Sequence, residues 1–149
     1  MSITSSVSAC LWFDGNAEEA ARLYTSVIHN SAVTSISPVM VTFTLDGVPF
    51  LALNGGPQFR PTEAASIVIR TTTQEETDRL WSALTAEGGS EGRCAWLKDR
   101  FGVSWQIVPQ VLPQLLGASD RQAADRALQA MLGMSKIDIA ALEAAFNAS

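Results

Sequence analysis

Histidine and cysteine are scarce in this sequence, which has one histidine and two cysteines in 149 residues. A single histidine excludes a site built from several imidazoles of one chain, and two cysteines do not make the disulfide framework of a small secreted domain. No apolar run reaches the roughly 20 residues that a transmembrane helix needs. The first ten residues also lack the basic start and long apolar stretch of a secretion signal, so we expect a cytoplasmic protein without membrane contact.

Basic residues are also few. Ten lysines and arginines stand against fifteen aspartates and glutamates, a formal net charge of −5, and no basic run exceeds two residues. Because phosphate backbones bind clustered positive charge, we expect no nucleic-acid partner. The hydrophobic fraction of 47% is ordinary for a folded protein, and the length suits one domain spanning residues 1–149.

Two segments of the chain repeat in the same order. Residues 18–24 align with residues 75–81 at an offset of 57 (75 − 18), and residues 47–53 align with residues 102–108 at an offset of 55 (102 − 47). Two matches in nearly constant register indicate an internal duplication.

Each copy of the repeat predicts the element order β-α-β-β-β. Asn16 with Glu19, and Thr73 with Glu76, have the spacing of helix N-terminal caps, while Asp46 followed by glycine predicts a hairpin. The fold class is therefore α+β. It comprises two tandem modules and a C-terminal helical extension, at residues 7–57, 64–109 and 110–149. In the extension, Ser119 and Asp138 are the predicted helix caps.

Several longer sequence motifs resemble those of one known family. They are LWFDG at residues 11–15, FTLDG at 43–47, NGGP at 54–57, WLKDRFGVSWQ at 96–106, and the closing segment from Met131 to Asp138. They are similar to the PhnB-like branch of the vicinal-oxygen-chelate superfamily, often described as 3-demethylubiquinone-9 3-methyltransferase-like. The superfamily includes glyoxalase I, extradiol dioxygenases and bleomycin-resistance proteins. The resemblance covers residues 7–146.

This resemblance implies a cupped sheet in which two modules enclose a concave site for a small organic ligand. The two modules would come from one chain or from the two chains of a homodimer. Metal-using members of the superfamily place His or Glu at positions that the resemblance assigns to Ala9, Leu51, Ser66 and Gln106. Two of these side chains have no donor atom, and the other two offer neutral oxygens that bind divalent transition metals weakly. We therefore expect no metal and no other cofactor.

The methyltransferase description fits the sequence poorly. Common enzymes that use S-adenosylmethionine place a glycine-rich turn between a strand and a helix. The segment from Asn54 to Pro57 instead runs into residues 58–61, which end in a second proline, so that no helix can start cleanly there. We interpret this segment as a turn that links the two modules.

Strand alternation predicts which side chains face the cup if Ala9 and Gln106 face inward. The first strand would then turn Cys10 and Trp12 toward the helices. The predicted ligand-binding residues are Phe13, Leu51, Ser66, Arg70, Ser104 and Gln106, and no catalytic residue is assigned. Arg70 has two interpretations. It is either a strand-end arginine in water or paired with Glu75 or Glu76, or it is an inward guanidinium that selects a carboxylate, phosphate or polarised carbonyl.

Three functions fit these residues. The first is a metal-free homodimer that binds a small organic ligand, acting by sequestration. The second is a metal-independent enzyme of isomerase or lyase type, although the inferred cup has no evident general base. The third is a structural or regulatory dimer whose cup has collapsed.

Overall fold

The computed structural model describes residues 5–149 and divides into two compact units. The first unit ends at Pro61, and the second spans Thr62–Ser149. Residues 1–4, part of the segment behind the secretion-signal prediction, lie outside the described residues. Each unit contains one four-stranded sheet with helices, so the predicted α+β class is confirmed. The single domain spanning residues 1–149 stays a prediction.

The first unit has the predicted order β-α-β-β-β. Its elements are β1 (Ala9–Phe13), α1 (Ala17–Val27), β2 (Ala32–Ile36), β3 (Met40–Leu45) and β4 (Val48–Asn54). The strand order is β1-β4-β3-β2, with β1 parallel to β4 and the other pairs antiparallel. Asp46 and Gly47 both have positive φ, as a two-residue hairpin turn requires, so this turn prediction is confirmed.

One face of the first sheet is covered by α1. The rings of Tyr24 and Phe43 lie 6.2 Å apart, and both side chains are almost fully buried. Asn16 is the N-cap residue of α1, as predicted, but its side chain makes no capping hydrogen bond. Asn54 at the end of β4 accepts the Ala17 amide instead, at 2.9 Å. A residue that is distant in sequence therefore anchors the start of α1.

The second unit repeats this order and adds the C-terminal helices. Its elements are β5 (Ser66–Thr71), α2 (Gln74–Thr85), a 3₁₀ turn (Ala86–Gly88), β6 (Ser90–Glu91), β7 (Trp96–Lys98), β8 (Ser104–Pro109), α3 (Val111–Leu116), α4 (Arg121–Leu132) and α5 (Ile139–Asn147). The strand order is β5-β8-β7-β6, again with the first pair parallel. None of the helices within residues 5–149 combines the length and apolar character that crossing a membrane demands.

The start of α2 follows its sequence signal. Thr73 accepts the Glu76 amide at 3.1 Å, which confirms the predicted cap. One turn later, the buried Thr77 hydroxyl lies 2.7 Å from the Thr71 hydroxyl of β5 and so ties the helix to the sheet. Trp105 and Ile107 of β8 are fully buried on the side that α2 contacts.

The C-terminal helices pack around a separate apolar cluster. Its buried members include Leu112, Ala127 and Leu142, one from each helix. Asp138 caps α5 as predicted, accepting the Ala141 amide at 3.0 Å. The cap predicted at Ser119 is one residue off, because Asp120 accepts the amide at the start of α4.

Candidate functional site

The second sheet has one face against α2, and we call its opposite face, where Val108 packs against the C-terminal apolar cluster, the open face of the second unit. Because neighbouring strands in register project their side chains to the same side, alternation assigns every residue to a face. Ser66 pairs with Ser104, Val68 with Gln106, and Arg70 with Val108. Across β7, Lys98 pairs with Ser104 and Trp96 with Gln106. The residues on this face are Ser66, Val68, Arg70, Trp96, Lys98, Ser104, Gln106 and Val108.

Two of the predicted site residues contact each other. Gln106 Nε2 donates to Ser66 Oγ at 2.9 Å, across 40 positions of sequence. Both side chains are half-buried. The amide and the hydroxyl therefore form a neutral hydrogen-bonding pair beside Val68, whose side chain is 49% exposed.

Ser104 is the most deeply buried residue of this face, at 1% exposure. Its hydroxyl oxygen has no hydrogen-bond partner among the described residues. A buried polar group without a partner costs about 1–3 kcal/mol, so such a group in a folded protein requires an explanation. Ser104 lies between Ser66 on β5 and Lys98 on β7.

An ion pair lies beside this row of residues. The Lys98 ammonium pairs with the carboxylate of Glu63, which lies in the segment leading into β5. The hydrogen bond from Lys98 holds the pKa of Glu63 below its ordinary value of 4.5. The side chains of Lys98 and Glu63 are 41% and 63% exposed. Sequence reasoning missed both residues, although alternation back from the turn at 99–102 would have placed Lys98 opposite Ser104.

The turn between β7 and β8 is organised by a buried carboxylate. Oδ1 of Asp99 accepts the amides of Phe101 and Val103 at 2.9 and 3.0 Å, while its Oδ2 accepts the Trp105 indole at 2.9 Å. Asp99 is 2% exposed, and these three partners all lie within the next six residues of the chain. Since this turn joins Lys98 to Ser104, Asp99 positions both residues.

Arg70 lies on the same face near the other end of β5 and is exposed. Among residues 5–149 it forms no ion pair with Glu75 or Glu76, so that interpretation fails. The water-exposed interpretation and the ligand-binding interpretation of Arg70 both stay open.

The first strand is turned the opposite way from the prediction. Ala9 pairs with Phe50 and Leu11 with Ala52, residues buried against α1, and Phe13 is itself only 3% exposed. The prediction that Phe13 lines a ligand site is therefore wrong. Leu51 and Leu53 instead share the open face of the first sheet with two residues predicted to face the helices, Cys10 and Trp12.

A difference in loop length explains this error. Three residues separate β1 from α1, whereas two residues separate β5 from α2. Aligning the two helices therefore misaligns the two preceding strands by one position. A shift of one residue exchanges the two faces of a strand, which places Ala9 and Leu51 on opposite sides of the first sheet.

The Gly-Gly-Pro segment packs against Trp12. A Cβ atom on Gly55 would lie 2.3 Å from the Trp12 ring, and the indole donates to the Gly56 carbonyl at 2.9 Å. The ring of Phe59 meets the same indole edge to face at 5.0 Å between centroids. The chain then passes from β4 to β5 through residues 55–65 without a helix. The strand–turn–helix arrangement of common S-adenosylmethionine sites is therefore not formed here.

The residues at the expected metal positions fit a divalent metal poorly. Ser66 and Gln106 share one face but offer only neutral oxygens. Within the part of the chain that the structure describes, no three His, Cys, Asp or Glu side chains form a group that could hold an ion. Cys10, which is exposed, is the only thiol on the open face of the first sheet.

Comparison with known families identifies the larger part of the chain. Residues 5–108 match the model of the 3-demethylubiquinone-9 3-methyltransferase family. The match ends before α3, so the resemblance inferred for Met131 to Asp138 lies outside it. None of the functionally curated proteins matches the sequence significantly.

Solved structures share this fold. The PhnB protein from Bacillus cereus is 30% identical, with a TM-score of 0.65 over 70% of this chain and 99% of that chain. A glyoxalase/bleomycin resistance protein from Albidiferax ferrireducens is 13% identical, with a TM-score of 0.52 over 67% and 93% of the two chains. The fosfomycin resistance protein FosX from Listeria monocytogenes, solved with Mn(II) and sulfate, is 16% identical, with a TM-score of 0.53 over 77% and 97%. The two less similar structures support the fold alone.

Proposed function

The chain belongs to the 3-demethylubiquinone-9 3-methyltransferase family, of PhnB-like type in the vicinal-oxygen-chelate superfamily, and from this premise we propose that it binds a small organic ligand. The proposed binding surface is the open face of the second unit, and the proposed mechanism is sequestration. One observation carries the proposal: the buried Ser104 hydroxyl lacks a protein partner in a row of hydrogen-bonding side chains. A ligand that supplies the missing hydrogen bond would remove the cost of that burial.

The neighbouring side chains suit a small molecule. Gln106 and Ser66 offer a donor and an acceptor in a fixed arrangement, and Val68 supplies exposed apolar area between charged ends. Convergent polar groups beside apolar surface are typical of sites that orient a small ligand. Arg70 belongs to the proposal as a further contact on this face. Leu51 lies on the open face of the first sheet and stays a predicted ligand contact of that unit.

We propose that binding needs no metal and no cofactor. The donor chemistry supports this, because Ser66 and Gln106 carry no charge and Leu51 has no donor atom. Elemental analysis of the purified protein tests this point. Zinc, nickel, iron or manganese at one ion per chain would overturn it.

The enzymatic alternative has weaker chemical support. Glu63 is the carboxylate at the open face, and its lowered pKa makes it a poor proton acceptor near neutral pH. A structural or regulatory dimer is the third possibility. The homodimer and the cytoplasmic location stay proposals; the family resemblance supports the first, and the sequence composition supports the second.

A thermal-shift screen of cationic antibiotics and small carboxylates, followed by amide NMR titration of each hit, tests the proposed function. We expect hits to shift the amide signals of Ser66, Ser104 and Gln106. Gln106→Ala should weaken binding about fivefold through one lost hydrogen bond. The control, Ser82→Ala on the exposed side of α2, should leave affinity unchanged. Hits whose signals map away from the open face would contradict the proposal.

A further inference from the structure

We infer that Glu63 occupies the place of a ligand oxyanion, and that a carboxylate or phosphate group of the ligand replaces Glu63 on Lys98 and hydrogen-bonds to Ser104. This inference rests on the proposed function and adds the chemical class of the ligand. In the structure, the Glu63 carboxylate satisfies the Lys98 ammonium while the adjacent Ser104 hydroxyl stays without a partner.

The positions follow from the strand order. Lys98 on β7 and Ser66 on β5 flank Ser104 on β8, and the three residues are in register. Glu63 precedes Ser66 by three residues, so the ion pair joins β7 to the segment that enters β5. An oxyanion bound to Lys98, opposite the start of β8, would thus lie within reach of the Ser104 hydroxyl.

The donors at this place suit an oxyanion. An ammonium has three hydrogens to donate, and a serine hydroxyl has one. The Ser66 hydroxyl accepts from Gln106, so its own hydrogen also stays available to donate. Three side chains can therefore present donors to one oxyanion, whereas Glu63 reaches only the ammonium among them.

The existing ion pair is weak enough to be replaced. Both of its side chains are more than one third exposed, and solvent-exposed ion pairs add little stability. An incoming oxyanion keeps the ion pair with Lys98 and adds the hydrogen bond that Ser104 lacks. The released Glu63 carboxylate goes to water, where it needs no protein partner.

Lysine NMR tests this inference directly. Lys98 and Lys136 are the only lysines of the chain, so a protein labelled with ¹³C at lysine Cε gives two signals to follow. Inorganic phosphate and acetate are titrated separately at constant ionic strength. We expect the Lys98 signal to shift and saturate with at least one of these anions while the Lys136 signal stays in place.

Two variants separate the roles of the partners. Glu63→Gln removes the competing carboxylate and should lower the Kd of the responding anion about threefold. The matched control Glu143→Gln makes the same charge change on the exposed side of α5 and should have no such effect. Ser104→Ala should raise the Kd about fivefold.

Parallel, unsaturated shifts of both lysine signals, or equal affinities for the Glu63 and Glu143 variants, would overturn the inference. Failure of the anion assignment can be distinguished from failure of the proposed function. If neither anion acts on Lys98 but screen hits still shift Ser66 and Gln106, only the anion assignment fails. If nothing shifts that face, both proposals fail.

Discussion

The indole N–H of Trp105 donates a hydrogen bond of 2.9 Å to Asp99, a carboxylate that is 2% exposed. This bond links the first residue of the β7–β8 turn to the fully buried tryptophan of β8. The other oxygen of the carboxylate holds the two amides within the turn. Lys98 directly precedes this carboxylate, and Ser104 lies between two of its partners, Val103 and Trp105, so the placement of both residues on the open face depends on it.

Asp99→Ala should lower the free energy of unfolding by about 3 kcal/mol, because it leaves buried donors without an acceptor. Urea denaturation followed by circular dichroism measures the change. Asp125→Ala, on the exposed side of α4, is the matched control and should stay within about 0.5 kcal/mol of the wild type. Equal effects of the two substitutions would show that the Asp99 carboxylate does not organise the turn.

Gly55→Ala should destabilise the first unit by about 1–3 kcal/mol, because the added Cβ overlaps the Trp12 ring and the packed side chains must move. The displaced indole should also change its fluorescence emission. Gly133→Ala is the control, since a Cβ there meets only an ordinary contact of 3.6 Å. An unchanged emission spectrum in the Gly55 variant would contradict the close packing.

Ser104→Ala and Ser66→Ala should change stability in opposite directions. The first removes a buried hydroxyl without a partner and should raise the free energy of unfolding by about 1 kcal/mol. The second removes the acceptor of the Gln106 amide and should lower it by about 1 kcal/mol. Chemical denaturation of both variants under the same conditions is the measurement. A destabilised Ser104 variant would mean that its hydroxyl already has a partner.

Gln74→Ala should loosen the contact between α2 and the start of α5. The Gln74 amide donates to the Ile137 carbonyl at 3.0 Å and accepts the Ile139 amide at 2.8 Å. Losing these two bonds, together with the Gln74 bond to Asp78, should cost about 1–3 kcal/mol and accelerate hydrogen exchange at Ile139. Gln122→Ala, exposed on α4, should leave that exchange rate unchanged. If the two variants exchange alike at Ile139, the side-chain bridge is not holding α5.

Asp78 should contribute a small, pH-dependent part of the stability. Hydrogen bonds from Lys136, and then from Gln74, hold the pKa of Asp78 below its ordinary value of 3.8. Between the folded-state pKa and pH 3.8, Asp78 therefore binds more protons in the unfolded state than in the folded state. The contribution is present above pH 3.8 and is lost as the pH falls through the folded-state pKa.

Because the Asp78 side chain is 46% exposed, its contribution should be about 0.5 kcal/mol. The test compares urea denaturation of the wild type and Asp78→Asn at pH 7 and pH 3. The stability difference should shrink at the lower pH. A difference that is the same at both values would exclude the ion pair as its source.

Local sequence signals were sufficient for the repeated β-α-β-β-β order and for several element boundaries. Asp46 and Gly47 specify a turn through their own backbone preferences, and Thr73 and Asp138 cap helices whose first amides follow within three residues. In each case both partners are close neighbours in the sequence. Ser66 and Gln106 share one face because Ser66 pairs with Ser104 and Gln106 lies two positions further along β8.

Only the tertiary structure decided which side chains of β1 face α1, which residue accepts the first amide of α1, and which side chains lie beside Ser104. One extra residue before α1 reversed Phe13, and Asn54 replaced Asn16 as the partner of the first helical amide. Glu63 and Lys98 are 35 positions apart in the sequence (98 − 63), and they form an ion pair because of the strand order of the sheet. Neighbouring residues constrain each other through short-range backbone geometry, whereas these pairs are brought together only when the sheet forms. The local amino-acid sequence therefore determines which helices and strands form, and the packing of these elements determines which side chains share a site.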